Sequence, residues 1–439
     1  MADPVPQSGP SIVDGRPITG YQWLVLALCG TVVLVDGYDV VVAALAVPAI
    51  AEDWHVAPAS FGATLTAGIL GTGLGAAFLA PLGDRFGRRP MVIATFAIVG
   101  VFTCLSSLAT STFELFLLRF VTGLGLGASS ANALTLASEY VPTRLRSLLV
   151  VIVFAAGGIG SIIASLIGPM VWRSHGWEGM FLLGGIVPLL VCPPLLLWLP
   201  ESVAFLRLRR PGHPAIAKVM RSLKLDLAAL PPVAAETARP GWRTLLSPPY
   251  RAGTLLLWAL YFISAFDSYF LHSWLPTLLR EAGWNYSASI YGAMFVSIGA
   301  VLAGVTFGWL ADKGYVKSGF TLLFASTMLA FLALSFVSAS FWYWVPLIAL
   351  AGAGTSGAYF ALSSVAARLY PVPIRAAGVG IATSVSRFGA TLSPLFGSVL
   401  LLFEVTPELI FLTLIAPMAI ALVAVQLFAR HWEVEKRET

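Results

Sequence analysis

Four charged residues interrupt apolar stretches of the sequence, and they are the residues best placed to do chemistry. Asp36 and Asp39 stand three positions apart in VVLVDGYDVVVAAL, and Arg119 and Arg387 each lie within a long apolar run. A charged side chain at the centre of a membrane helix costs about 2.5 to 3.5 kcal/mol even on lenient insertion scales. Each of the four is therefore a candidate functional residue.

The acids Asp36 and Asp39 are predicted to carry protons. Residues three apart on a helix share one face and are separated by about 4.5 Å along its axis. Two carboxylates this close in a poorly hydrated site cannot both ionise cheaply, so we expect the pair to hold a proton at neutral pH. The alternative is structural, with the acids pairing with Arg119 or capping a helix break at Gly37.

The two arginines are predicted to differ. Arg387 has no acidic residue in its own apolar stretch, where the nearest is Glu404 near the outer end. A guanidinium without a local counter-ion can receive a substrate carboxylate through two parallel hydrogen bonds. Arg119 lies at a depth similar to that of Asp39 and is a plausible ion-pair partner for it. A structural pair with another helix is the alternative for Arg387.

Weaker candidates surround these four. Asp267 is a second possible proton-coupling site, but it lies toward the outer end of its stretch, where a capping role is the alternative; His272 carries less weight. Aromatic side chains in the cavity could stack on an aromatic substrate, although most aromatic residues of a membrane protein are packing or interfacial residues. The candidates for substrate contact are Tyr38, Tyr269, Trp274, Tyr359 and Phe388.

These side chains are predicted to lie on membrane-spanning helices. Of the 439 residues, 58% are hydrophobic and only 11% are charged, where a soluble domain has about 25% charged residues. The mean hydropathy is +0.86. A water-soluble enzyme is excluded, and the sequence predicts an all-α membrane protein.

Apolar stretches of about 20 residues predict twelve transmembrane helices in two six-helix halves. The predicted organisation is an N-terminal tail at 1–20, a first half at 21–199, a linker at 200–250, a second half at 251–429 and a C-terminal tail at 430–439. Of the 26 Lys and Arg residues, Arg173 and Arg280 alone fall on the side opposite the termini, and Arg119 and Arg387 lie within spans. The positive-inside rule then places both termini and the linker in the cytoplasm, and we expect a multi-pass protein of a bacterial inner membrane.

The loops at the predicted cytoplasmic end repeat between the halves. GDRFGRRP at 83–90 resembles ADKGYVKS at 311–318, and EYVPTRLRS at 139–147 resembles LYPVPIRAAG at 369–378. Two halves related by duplication are the plan of a rocking transporter with its site between them. Charge pairs and a glycine turn in these loops are predicted to clasp one conformational state. The candidate gate residues are Asp84, Arg85, Gly87, Arg88, Arg89, Glu139, Arg146, Asp312 and Arg375.

At this point the chain resembles the major facilitator superfamily, whose loops between helices 2 and 3 and, more weakly, 8 and 9 have the pattern at 83–90. Within it, Asp36-Gly37-Tyr38-Asp39 is similar to the DG-aromatic-D signature of the aromatic acid:proton symporter family, with support from SWLPTLL at 273–279 and SRFGATLSP at 386–394. The resemblance implies the major facilitator fold and proton-coupled import of a small aromatic carboxylate, such as benzoate or a hydroxybenzoate, by alternating access. It also implies that Arg119 takes part in proton coupling, with a structural salt bridge as the alternative.

No nucleotide-binding loop, metal cluster or catalytic triad is visible in the sequence. We therefore expect a protein that is not an enzyme, uses no cofactor or metal, and has protons as its coupling ion. The expected partners are a small aromatic carboxylate, protons and the lipid bilayer, with no nucleic acid, and we expect a monomer.

Two other functions stay open. One is an uncoupled or exporting transporter of another organic anion or drug, which the lack of an antiporter pattern in GGIGSIIASLIGPM disfavours. The other is a non-transporting membrane sensor of an aromatic acid, for which neither predicted tail is long enough to form a signalling domain.

Overall fold

The structure is a computed structural model that describes residues 18–209, 212–223, 242–370 and 372–438. The described residues form helices and their connections and contain no strand, which confirms the predicted all-α fold class. The predicted tails and linker lie partly outside the described residues, so their bounds stay predictions.

The first half is built from long apolar helices. A 3-10 turn (Pro58–Phe61), a π turn (Gly75–Leu79) and a second 3-10 turn (Ala80–Leu82) join the pieces of its second span, which runs without interruption over Pro58–Phe86. The helices are α1 Gly20–Asp53, α2 Gly62–Leu74, α3 Gly83–Phe86, α4 Arg88–Ser106, α5 Thr112–Glu139 and α6 Thr143–Trp198. Two short helices follow, α7 Val203–Arg209 and α8 Pro214–Ser222.

The second half repeats the pattern of long helices. A 3-10 turn (Trp242–Leu246) precedes it, and a π turn (Ala353–Gly357) links two of its helices. The helices are α9 Pro248–Glu281, α10 Tyr286–Asp312, α11 Val316–Phe336, α12 Phe341–Gly352, α13 Ala358–Leu369, α14 Val372–Leu402, α15 Pro407–Thr413 and α16 Ile415–Glu438.

In the described part of the chain, eleven helical segments are long and apolar enough to cross a membrane. One of them, Ile152–Trp198, has 47 residues. At about 1.5 Å per residue such a helix is roughly 70 Å long, more than twice the ~30 Å hydrocarbon core of a bilayer. His175 and Gly176 leave the helical conformation within it, with a φ of +65° at Gly176. This segment therefore supplies two spans, and the predicted twelve are present.

The bundle has two ends, which we name by the course of the chain. The near end is where α1 begins, and it also holds the turn at Gly87 and the segment with α7 and α8. The far end is where α1 finishes, and it holds the connections at 54–57, 107–111, 282–285, 337–340 and 403–406.

Contacts between the halves join them at the far end. The Tyr286 hydroxyl of α10 donates to the Leu45 carbonyl of α1 at 3.0 Å, and its ring lies on that of Trp172 with centroids 4.1 Å apart. The Ser398 hydroxyl of α14 donates to the carbonyl of Ala59. Further contacts are Thr66 Oγ1 to the Thr391 carbonyl at 3.4 Å, Arg173 Nη2 to Ser287 Oγ at 3.2 Å and Arg280 Nη2 to Glu52 Oε2 at 3.7 Å.

Candidate functional site

A cavity of about 180 Å³ lies between the halves. Residues of α1, α2, α5 and α6 line one side of it, and residues of α9, α10, α13 and α14 line the other. Its wall is largely apolar and includes Val40, Ile69, Ala300 and Val301. The charged side chains in the wall are Asp36, Asp39, Arg119 and Arg387, which are the four found from the sequence.

The position of the two acids depends on a close approach of α1 to α6. Gly37 packs directly on the backbone of Gly157, where any side chain at Gly37 would collide with the carbonyl of Gly157. The Ser161 hydroxyl of α6 donates to the Gly37 carbonyl at 2.8 Å. Glycine at this position lets two helix backbones meet, as in other membrane helix pairs, and it fixes where Asp36 and Asp39 enter the cavity.

Asp39 forms a buried ion pair with Arg119. The Arg119 Nη1 atom lies 2.9 Å from Asp39 Oδ1, in a pair of side chains that are 3% and 9% exposed. The Thr103 hydroxyl donates to the same carboxylate oxygen at 3.1 Å. Arg119 Nη2 has three hydroxyl partners, Thr103, Ser106 and Thr122, at 3.0 to 3.2 Å, and the Phe181 ring lies 5.0 Å from its guanidinium carbon. The ion pair between Asp39 and Arg119, which was the structural alternative predicted from the sequence, is therefore present.

Asp36 has a different environment from Asp39. Its Oδ2 atom accepts a hydrogen bond from the Ser130 hydroxyl at 2.9 Å, while its buried Oδ1 atom has no partner among the described residues. The two acids share a helix face as predicted, but each binds its own partner. That the pair holds a proton at neutral pH stays a prediction.

Arg387 faces the cavity from the opposite half. Its side chain has no hydrogen bond or ion pair within the described residues, and Asp36, Tyr269 and Tyr359 are the groups within electrostatic range of its guanidinium. Its Cβ atom lies beside Gly73 of α2, toward the near end of the cavity. A guanidinium held in this way keeps its planar set of donors available for a carboxylate.

The predicted aromatic residues divide into two groups. Tyr269 and Tyr359 line the cavity and pack on Ile69, and the Tyr359 hydroxyl is 3.2 Å from Ser386 Oγ. The other three lie outside it. Tyr38 is buried and donates to the Met180 carbonyl at 3.1 Å, Trp274 is buried and donates to the Pro394 carbonyl at 3.0 Å, and Phe388 is 69% exposed on the outer surface of the bundle.

Asp267 also lies outside the cavity wall. It is completely buried in α9, and neither carboxylate oxygen has a partner among the described residues. Ser268, Tyr269 and His272 of α9 line the cavity, whereas Asp267 lies on the opposite face of this helix. The structure therefore separates Asp267 from the four charged residues of the cavity.

Four of the predicted gate residues of the first half, Asp84, Arg88, Arg89 and Glu139, form one cluster with Glu201 and the turn at Gly87 at the near end. Arg88 pairs with Asp84 at 3.1 Å and with Glu139, and Glu201 Oε1 accepts from the backbone N–H groups of Arg88 and Arg89 at 2.9 and 3.2 Å. Gly87 has a φ of +110°, and a side chain there would collide with Glu201.

This cluster lies within one half of the molecule. Arg85 is outside it and contacts the ring of Phe86 at 5.4 Å. The cluster ties α4, α5 and the segment after α6 to one another, so among the described side chains it braces the first half. The side chains of Arg146, Asp312 and Arg375 lie outside the described part of the structure.

Ser268, Ser297 and Ser356 line the cavity and were missed from the sequence, which named His272 as a weaker candidate. Ser268 and Ser356 form a hydroxyl pair at 2.6 Å, and Ser356 belongs to the π turn between α12 and α13. His272 lines the cavity beside Ser297. Serine is common in apolar helices, so the available signal was the spacing of 268, 269, 272 and 273, which share one face of a helix. Toward the near end, the rings of Phe154 and Phe360 meet edge to face with centroids 5.7 Å apart.

Comparison with known proteins places these features in a wider context. A family model described as Major Facilitator Superfamily matches residues 28–325 and 257–438. The chain is 35% identical over 422 residues to the 4-hydroxybenzoate transporter PcaK of Pseudomonas putida, covering 94% of each chain. It is 34% identical over 418 residues to the gallate transporter of Pseudomonas putida, covering 94% and 93%. It is 27% identical over 428 residues to a benzoate transport protein of Acinetobacter baylyi, covering 94% and 91%.

Proposed function

The chain belongs to the Major Facilitator Superfamily, and we propose that it imports a small aromatic carboxylate together with a proton. The superfamily resemblance seen in the sequence is confirmed, as is the expectation that the protein is not an enzyme. It is a multi-pass membrane transporter. The substrate, the coupling and the orientation are the parts of this proposal that need experiments.

The size and wall of the cavity support an aromatic substrate. A dry, apolar cavity of about 150 Å³ in a protein core can hold a benzene molecule. The cavity of about 180 Å³ found here is larger by a small polar group. Relatives that share about a third of the sequence are named as transporters of 4-hydroxybenzoate and gallate. These observations together favour one aromatic ring bearing a carboxylate.

The main support for the proposal is that Arg387 lines the cavity and has no ion pair in the described structure. A planar guanidinium binds a carboxylate through two parallel hydrogen bonds, and such contacts are stronger than those between neutral groups. Arg119 is less suitable, since its two terminal nitrogens already bind Asp39 and three hydroxyl groups. We therefore assign the substrate carboxylate to Arg387.

The charges of the cavity favour proton coupling. Asp36, Asp39, Arg119 and Arg387 sum to zero when all four are ionised. A bound carboxylate adds one negative charge, and an uncompensated charge is costly within the hydrocarbon core. One proton on Asp36 restores neutrality. Asp36 is the better carrier than Asp39 because Asp39 is already neutralised by Arg119, whereas Asp36 has no ion pair among the described residues and accepts one hydrogen bond from the neutral Ser130 hydroxyl.

The distribution of basic residues supports a proposed orientation. Lys and Arg concentrate in the connections of the near end, which by the positive-inside rule faces the cytoplasm of a bacterial inner membrane. The far-end contacts would then close the cavity to the outside, with the ring pair Phe154 and Phe360 on the cytoplasmic side. In the alternating-access cycle this arrangement corresponds to a state in which the outer end of the cavity has closed after the substrate has entered.

Uptake into proteoliposomes tests the proposal. The wild type should accumulate labelled aromatic acids when the outside is acidic. Asp36→Asn should still exchange substrate across the membrane but lose accumulation driven by the pH gradient, because a carboxamide cannot release a proton. Asp53→Asn is a matched control at the end of the same helix, where the carboxylate accepts from Trp177 Nε1 at 3.2 Å, and it should behave like the wild type.

The outcomes separate the alternatives. Gradient-driven accumulation by Asp36→Asn that is lost in Asp39→Asn would move the carrier to Asp39. Uptake that ignores the pH gradient in the wild type would favour an uncoupled transporter. A wild type that moves no aromatic acid would contradict the substrate class.

A further inference from the structure

His272 is an imidazole in the cavity wall whose hydrogen bonds assign its tautomer. Its Nδ1 atom lies 2.8 Å from the carbonyl oxygen of Ser268, one turn earlier on α9. A carbonyl oxygen can only accept a hydrogen bond, so Nδ1 carries the hydrogen. In the neutral ring the other nitrogen, Nε2, is then an acceptor.

The acceptor Nε2 is only loosely engaged. Its protein partner is Ser297 Oγ of α10 at 3.4 Å, beyond the 2.7 to 3.2 Å typical of a hydrogen bond to nitrogen. Three other serines of the cavity have closer partners: Ser268 and Ser356 are 2.6 Å apart, and Ser161 is 2.8 Å from the Gly37 carbonyl. Because His272 and Ser297 both line the cavity, they offer an acceptor and a hydroxyl group to a ligand.

The pair of His272 and Ser297 lies toward the far end of the cavity, whereas Arg387 lies toward its near end. Gly389, two residues after Arg387, packs on the backbone of Phe262, which precedes His272 by ten residues on α9. His272 therefore lies roughly two turns or more farther toward the far end than the backbone of Arg387. Tyr269, one turn below His272, is within electrostatic range of the Arg387 guanidinium. An apolar wall with Ile69 and Val40 lies along the cavity.

We propose that His272 and Ser297 form a subsite that recognises a ring hydroxyl, so that the cavity prefers a phenolic carboxylate to an unsubstituted one. This inference rests on the proposed function, with the substrate carboxylate at Arg387. A phenol is both a donor and an acceptor, and it matches both groups. Its O–H donates to Nε2 of His272, and its oxygen accepts from the hydroxyl of Ser297. Because the two subsites lie at opposite levels, the hydroxyl stands across the ring from the carboxylate.

The affinities of three ligands for the purified protein test the subsite, measured by calorimetry or tryptophan fluorescence quenching. At ring position 4, the hydroxyl of 4-hydroxybenzoate can donate and accept a hydrogen bond, and the methoxy group of 4-methoxybenzoate can only accept one. Benzoate has no hydrogen-bonding group at this position. The wild type should bind 4-hydroxybenzoate roughly tenfold more tightly than benzoate, as expected for one well-matched hydrogen bond. 4-Methoxybenzoate should lack this advantage.

Two variants remove the two halves of the subsite. His272→Phe should bring the affinities for 4-hydroxybenzoate and benzoate together while leaving benzoate binding unchanged. Ser297→Ala should reduce the preference in part, and it keeps the test decisive if His272→Phe does not fold. Ser289→Ala, which removes a buried hydroxyl of α10 that lies outside the cavity wall, should keep the wild-type ratio.

Three results would overturn the inference. Equal wild-type affinity for 4-hydroxybenzoate and benzoate removes the subsite but leaves the proposed function intact. An equal loss of both acids in His272→Phe means that the imidazole meets the carboxylate. Binding of neither acid by the wild type contradicts the proposed function, and the subsite with it.

Discussion

The cavity contains one arginine from each half of the molecule, and the two are held differently. Arg119 is 2% exposed and binds a carboxylate and three hydroxyl groups. Arg387 lies across the cavity with no such partner in the described structure. The two residues are of the same type, so the surrounding groups distinguish a cation that is part of the protein core from one that is available to bind an anion.

The largest expected effect comes from breaking the buried ion pair between Arg119 and Asp39. Arg119→Gln leaves Asp39 buried without its cation, and removing one partner of a buried ion pair costs about 3 to 5 kcal/mol. We expect a lower midpoint of thermal unfolding in detergent. The double variant Arg119→Gln with Asp39→Asn should lose less stability than the two single variants together, because contacting groups are not additive. Additive losses would show that the pair is not coupled and would weaken the contrast with Arg387.

Removing the side chain of Arg387 should weaken substrate binding and leave folding unchanged. Truncating one partner of a buried charge-assisted contact costs about 2 to 5 kcal/mol, which weakens affinity by roughly 30-fold or more. Arg387→Ala should show this loss for an aromatic acid. Arg387→Lys should lie between Arg387→Ala and the wild type, because lysine lacks the planar fork.

Two controls accompany the Arg387 variants. An aromatic amide that competes weakly should lose little further affinity, since it brings no carboxylate. Phe388→Leu changes the next residue, which is 69% exposed on the outer surface, and should bind the acid like the wild type. If Arg387→Ala retains wild-type affinity, the carboxylate must meet another cation, and Arg119 becomes the candidate.

A smaller effect is expected at Tyr38, which lies between the two acids in sequence but outside the cavity. Tyr38→Phe removes one buried hydrogen bond to the Met180 carbonyl, with a net cost of about 1 kcal/mol of stability. Thermal unfolding should report the loss while substrate affinity stays the same. A specific loss of affinity would mean that the tyrosine reaches the substrate in another conformation.

The smallest effect is expected at Asp267, which is buried but lies apart from both arginines. Asp267→Asn keeps the size of the side chain and should leave gradient-driven uptake within about twofold of the wild type, as expected for a change that removes no contact. Uptake at imposed pH gradients checks this directly. Loss of coupling in this variant would mean that Asp267 takes part in proton transfer although it lies outside the cavity wall.

The sequence allowed the charged centre of the site to be predicted because charge in a membrane helix is expensive. Asp36, Asp39, Arg119 and Arg387 all line the cavity for that reason. Arg119 was a candidate partner of Asp39 from the sequence, but the Ser130 partner of Asp36 was not predictable, since it depends on how α1 meets α5 in space. The neighbouring acids therefore looked like one proton-sharing pair, whereas Asp39 binds Arg119 and Asp36 binds Ser130.

Aromatic residues were the less predictable part of the site. In a water-soluble helix polarity distinguishes the buried face from the exposed one, but in a membrane both faces are apolar. Phe388 adjoins Arg387 in sequence yet faces outward, and Trp274 packs on α14. The twelve spans were predictable from apolar length, although α6 shows that a helix can pass through a turn at His175 and Gly176 with little change in apolar character.

The bonds that close the far end have a consequence for the balance between conformations. Most acceptors at the far end are carbonyl and hydroxyl groups, and the ion pair between Arg280 and Glu52, which is the one found there among the described residues, has side chains that are 36% and 77% exposed. Neutral hydrogen bonds contribute about 0.5 to 1.5 kcal/mol each, and exposed ion pairs about 0 to 1 kcal/mol. Inverting a two-state population from 1:99 to 99:1 takes about 5.5 kcal/mol. A seal of this kind is therefore weak enough for the binding energy of one small anion and one proton to decide which way the molecule faces.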